Sequence, residues 1–125
     1  MSLFDVTQLG LERAIQGAGM RQAALTSNIA NANTPGYKPQ DVDFHSALRA
    51  AFSEAGSSPD EATQTVENAS FTPQVDSNAV MQADGNGVDI DVQNAELAKN
   101  GLEYEALVTA DKARLDILRS AMGVM

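Results

Sequence analysis

Apolar residues in the first third of the chain recur at helical intervals. Leu11, Ile15, Ala18, Gln22, Leu25, Ile29 and Ala32 are spaced alternately by four and three, the narrow seam of a coiled-coil helix. Phe4 extends the seam toward the start, and Leu3, Val6 and Leu9 broaden it there. The pattern predicts a helix from about Leu3 to about Asn31, roughly 40–45 Å long at 1.5 Å per residue. Past Ala32 the spacing is lost, and it returns only at about Val92. From there Leu97, Tyr104, Val108, Leu115, Leu118 and Met122 form a second seam, with Gly101 and Asp111 in two of its slots. Leu107, Ala110, Ile117 and Ala121 flank it, so this apolar face is wide. Asp91 is the expected N-cap, and Arg114 and Arg119 suit the negative C-terminal pole.

The first helix ends at a run rich in asparagine, Ser27 to Tyr37. Pro35 lacks a backbone donor and drives Thr34 out of the helical region, while Gly36 accepts positive φ without a clash. Pro35-Gly36 therefore fits the centre of a type II turn, and Thr34, Pro35, Gly36 and Tyr37 form the expected hinge. Asn competes for its own backbone inside a helix, so three in six residues need another reason. Asn28 and Asn31 are expected to contact adjoining chains more than to cap.

Between the seams, Asp41-Val42-Asp43-Phe44 reads as extended, and His45 to Phe52 as a short amphipathic helix with Phe44, Leu48 and Phe52 on one face. Ser53 to Asn68 has little to bury and reads as a surface loop. Ser70-Phe71-Thr72, Ala79-Val80-Met81-Gln82 and Val88-Asp89-Ile90 read as short strands, the last two joined by a hairpin turn at Asp84-Gly85-Asn86-Gly87. The fold expected is mainly α: a coiled-coil-like pair of terminal helices, 1–34 and 91–125, around an irregular middle, 35–90, with a short helix and a β-hairpin. Gly10, Gly17 and Gly19 would weaken an isolated helix and make more sense where other helices approach closely.

Composition alters this picture in one respect. The net charge is −9, and residues 35–90 carry two bases against nine acids, whereas residues 1–34 are neutral. An acidic middle and near-neutral helices oppose nucleic-acid binding, which needs cations for phosphates. They fit a middle that faces solvent and ends that face protein. With no cysteine there is no disulfide framework or thiol nucleophile. No signal-like opening and no apolar run of about 18–20 residues is present, so neither a cleaved signal nor a membrane span is expected.

Candidate chemistry is sparse. Counted from Asp84, a calcium loop would need Gly at the sixth position and Glu at the twelfth; Asp89 and Ala95 stand there. His45 is the single histidine. No nucleophile elbow, phosphate loop or zinc spacing occurs. Neither enzyme activity, a cofactor nor a metal is expected.

The breadth of the second seam shifts attention to assembly, because two helices alone need one stripe each. Phe4, Leu11, Ile15, Leu25, Asn28, Ile29 and Asn31 of the first helix are the expected subunit contacts. Leu97, Tyr104, Val108, Leu115, Leu118 and Met122 are their counterparts on the second. A soluble helical adaptor or export chaperone with one partner is the alternative.

The run Ser27-Asn28-Ile29-Ala30-Asn31-Ala32-Asn33-Thr34-Pro35-Gly36-Tyr37-Lys38 resembles the motif of the flagellar axial proteins. With Ser2-Leu3-Phe4-Asp5, Asp41-Val42-Asp43-Phe44, Asp84 to Asp91 and Leu97-Ala98-Lys99-Asn100, the chain is most similar to the proximal rod proteins of the bacterial basal body. The resemblance implies a structural rod subunit, exported by the flagellar type III apparatus without a cleaved signal and located in the periplasmic rod. It implies terminal helices forming a tube around the export channel, and a shaft that transmits torque. The implied partners are further copies, other rod proteins (FlgC, FlgF-like), the adaptor FliE, and the MS ring and export gate. Ser53 to Asn68 matches nothing in that pattern.

Overall fold

The structure, a computed structural model, describes residues 3–54, 58–76 and 87–123. Two long helices dominate it, α1 (Leu3–Ala30) and α4 (Ile90–Ala121). Between them lie β1 (Gln40–Asp41), α2 (Phe44–Glu54), α3 (Pro59–Glu67) and β2 (Gln74–Val75). The mainly helical architecture expected from the two seams is what forms. Gln8 reaches Asp111 at one end of the pair and Asn28 reaches Gln93 at the other, so α1 and α4 run antiparallel.

The apolar core lies between α1 and the middle segment. Ala18, Ala24, Val42, Phe44, Leu48, Ala51, Val66 and Phe71 form one buried cluster. Phe44 and Phe71 meet edge to face at 6.4 Å between centroids, a favoured arrangement of aromatic quadrupoles. Arg13 lies 4.9 Å above the Phe71 ring. The glycines of α1 admit this layer. A Cβ on Gly17 would stand 2.5 Å from the Phe44 Cβ, and one on Gly10 would stand 2.8 Å from the Phe52 ring. Close approach was expected at all three glycines, but at Gly10 and Gly17 it comes from α2, and Gly19 has nothing within 4 Å.

Three expectations for the middle need correction. Ser53 to Asn68 is not a loop throughout, because Pro59 to Glu67 is helical. Pro59 opens α3, where a missing N–H costs nothing, and Asp60 and Glu61 face its positive pole. Val66 is fully buried and anchors the helix to the core. The small sheet joins β1 to β2, pairing Gln40 with Val75 and Asp41 with Gln74, antiparallel. Ser70-Phe71-Thr72 and Val88-Asp89 are not strands. Ala79 to Gln82 and the turn at Asp84 to Asn86 lie outside the described residues. The N-cap of α4 is Asp89, whose carboxylate accepts from the N–H groups of Asp91 and Val92. Asp91 falls instead in the first turn, where its charge still favours the dipole.

Candidate subunit interface

The junction where α1 ends is built around one amide. Asn28 is 1% exposed and uses its whole hydrogen-bonding capacity inside the chain. Its Nδ2 donates to the Gln40 carbonyl at 2.7 Å and to Gln93 Oε1 at 2.9 Å. Its Oδ1 accepts from the Gln40 N–H at 2.9 Å and from the Tyr37 hydroxyl at 3.2 Å. Asn28 thus ties α1, β1 and α4 together. Asn31 acts locally: its Nδ2 donates to the Ser27 carbonyl, and its Oδ1 accepts from the Thr34 hydroxyl. Both asparagines thus have hydrogen-bond partners within their own chain, Asn28 with all its capacity and the half-buried Asn31 locally. The Tyr37 N–H donates to the Thr34 carbonyl at 3.2 Å, and Gly36 has φ of 76°. These are the closure and the left-handed third residue of the expected turn through Thr34, Pro35, Gly36 and Tyr37.

A charged knot lies about two turns earlier on α1. Arg21 donates to Asp41 of β1 and to Glu96 of α4, both at 2.8 Å. Burial, the largest influence, works against its charge, but the bonds to Asp41 and Glu96 outweigh it and hold the guanidinium pKa above its usual value. Nearby, His45 contacts Glu103 and so links α2 to α4. Arg21, Asp41, His45 and Glu103 line a mixed-charge cleft of about 430 Å³ between the sheet and α4. Among the described residues no three His, Cys, Asp or Glu side chains are arranged to hold a metal ion.

The two long helices meet through a contact more polar than either seam suggests. The buried residues of α4 are Gln93 and Asn100, and neither is apolar. Asn100 Nδ2 donates to the Ala18 carbonyl and to Gln22 Oε1, both at 2.9 Å. Leu107 packs against the core, but several other apolar residues of α4 lie beside this line and are exposed. Tyr104, Val108 and Leu115 are about two-fifths exposed, and Met122 is 70% exposed. Leu97 and Leu118 are half-buried, as are Leu11, Ile15 and Ile29 of α1. Leu25 is 2% exposed and packs within the chain, as Asn28 does. The Phe4 side chain lies outside the described residues. Leu102 and Ile117, which the spacing did not single out as contacts, are 69% and 63% exposed. Exposed apolar residues thus lie on more than one side of α4.

A family profile described as "Flagella basal body rod protein" matches residues 12–38, the stretch holding Arg21, Asn28 and the Pro35-Gly36 turn. The chain is 35% identical to the flagellar basal body rod protein FlgB of Bacillus subtilis, over 98% of this chain and 97% of that one. It is 30% identical to FlgB of Escherichia coli over 87% of this chain and 90% of that one. With FlgB of Salmonella typhimurium it shares 32% identity over 78% and 79% of the two chains. A buried junction at Asn28, an outward apolar helix and these near full-length matches converge: the chain belongs to the family of flagellar basal body rod proteins, FlgB.

Proposed function

We propose that this chain is a structural subunit of the proximal rod, assembling through α1 and α4 into a tubular shaft around the export channel. The observation that carries this reading is the outward row of Tyr104, Val108, Leu115 and Met122 beside a polar intramolecular contact. A helix that buries Gln93 and Asn100 against its own chain while leaving a row of apolar side chains exposed is incomplete alone. Leu11, Ile15, Ile29, Leu97 and Leu118, half-buried in the single chain, complete the contact set. Many small dispersion contacts along two helices suit a shaft that transmits torque, because load is shared among them. The acidic middle would face away from the shaft and keep the chain soluble during type III export to the periplasmic rod. The partners proposed are further copies, FlgC and FlgF-like rod proteins, FliE, and the MS ring and export gate. Catalysis has no part in this role. The adaptor reading is not favoured, since it leaves a wide apolar surface on α4 uncovered.

Immunolabelling of isolated basal bodies tests the reading. Label at the rod is the expected outcome. Basal bodies complete in rod but free of this chain would overturn it.

A further inference from the structure

We infer that the polar residues along the α1–α4 contact form a register lock, which selects one alignment of two helices whose apolar residues permit several. The apolar rows repeat every seven residues. On α1, Leu11, Ala18 and Leu25 recur at that interval, and so do Ile15 and Ile29 across two of them. On α4 the half-buried apolar residues are few, Leu97, Leu107 and Leu118, and Leu97 and Leu118 are three such intervals apart. Sliding α4 past α1 by seven residues, about 10 Å at 1.5 Å per residue, meets the same α1 rows again with little apolar contact on α4 to oppose it. Apolar contacts alone therefore do not distinguish these alignments.

The polar contacts do. Asn100 meets Ala18 and Gln22, Asn28 meets Gln93, Arg21 meets Glu96, and Gln8 meets Asp111. After a slip of seven residues, Asn100 would lie level with Leu11 and Ile15, or with Leu25 and Ile29. In either case the buried amide loses the Gln22 Oε1 acceptor, which is costly. Stability alone does not account for this ladder. Asn100 is fully buried, and its Oδ1 has no partner among the described residues. An apolar residue there would avoid that penalty, as with the single buried Asn that sets coiled-coil register at a cost in stability. Arg21 and Asn28 extend the lock, because both hold β1 as well as α4.

The absence of native cysteine makes a direct test available. Full-length chains carrying Gln8→Cys with Asp111→Cys report the observed register through a short thiol cross-linker. Gln8→Cys with Tyr104→Cys, or with Leu118→Cys, reports the two slipped registers. In the otherwise unchanged chain, intramolecular product from the first pair should exceed either slipped pair by about tenfold, the ratio expected from the loss of one buried hydrogen-bond partner. Adding Gln22→Leu with Asn100→Leu should bring the ratio to within about threefold while the melting temperature holds or rises. Gln22→Ala with Asn100→Ala removes the amides without adding bulk and should narrow it likewise. A ratio that stays tenfold in both backgrounds would overturn the lock. So would equal or absent cross-linking of all pairs in the unchanged chain, or loss of helix content in both backgrounds, since the amides would then act as plain stability elements. None of these outcomes depends on incorporation into a rod.

Discussion

The carboxamide of Asn28 engages both backbone groups of Gln40, donating to the carbonyl at 2.7 Å and accepting from the N–H at 2.9 Å. It pairs with β1 as a neighbouring strand's peptide would, on the side away from β2. Asn satisfies a carbonyl and an N–H together from this distance; an aspartate cannot, because it has no donor.

Asn28→Asp should therefore turn two donations into repulsions, against the Gln40 carbonyl and Gln93 Oε1. The expected loss is about 3 kcal/mol, from two buried acceptors left without donors. Urea unfolding measures it. A midpoint within error of the parent would show that the clamp is open in solution.

The glycines of α1 make a paired prediction. Gly17→Ala places a methyl group 2.5 Å from the Phe44 Cβ and should destabilise by about 2 kcal/mol. Gly19→Ala meets nothing within 4 Å and should stabilise the helix by up to about 1 kcal/mol. Thermal melts of both variants decide it, and opposite signs are the required outcome.

At Gly36 the surroundings are open, so substitution costs arise from the backbone alone. Gly36→Asn, which tolerates left-handed φ, should keep rod assembly, while Gly36→Val should impair it. Motility in soft agar with electron microscopy of basal bodies compares the two. Equal motility would count against any requirement for the turn.

How much of this was legible beforehand varied with the range of the interaction. The seam of α1, the Pro35-Gly36 turn and the Phe44–Leu48 face depend on neighbours within a few residues, and spacing reveals them. The start of α3 carries a first-turn signal, a Pro and two acids in Pro59-Asp60-Glu61, but the scarcity of apolar residues hid it: Val66 is the one buried residue among those of α3 whose side chains are described. The β1–β2 pairing was not legible. Two-residue strands show no alternation, and their partners lie more than thirty positions apart. The roles of Asn28 and Asn100 escaped for the same reason, because their partners lie on other elements. The α4 seam was visible, but not that Gln93 and Asn100 would turn inward while Tyr104 and Val108 remain outside.

That division of α4 yields a prediction for assembly. Val108→Asp changes an exposed side chain and should move the unfolding midpoint of the single chain by no more than ~0.5 kcal/mol. It should nevertheless abolish incorporation, because a neighbour would have to bury an unpaired carboxylate. Normal motility in that variant would mean this flank faces solvent in the rod.

Acid should loosen the start of α2. Asp43 accepts from the Ser46 N–H at 3.2 Å, and hydrogen bonding to Ser46 holds its pKa below the ordinary 3.8. A depressed folded pKa gives stabilisation that is complete above the ordinary value and lost as pH falls through the lower one. The stability difference between the parent and Asp43→Ala should therefore shrink below about pH 4. Denaturation midpoints measured from pH 6 down to pH 3 test this, and a difference independent of pH would remove Asp43 as a charged cap.

The antiparallel pairing of α1 and α4 also makes the molecule directional. The first residues of α1 and the last of α4 share one pole, where Gln8 meets Asp111, and the Pro35-Gly36 turn marks the opposite one. A filament of such hairpins stacked in one sense has two unlike tips, one presenting helix termini and the other presenting turns. Growth from its two tips would then be chemically distinct events, and an incoming protomer could recognise which tip it had met.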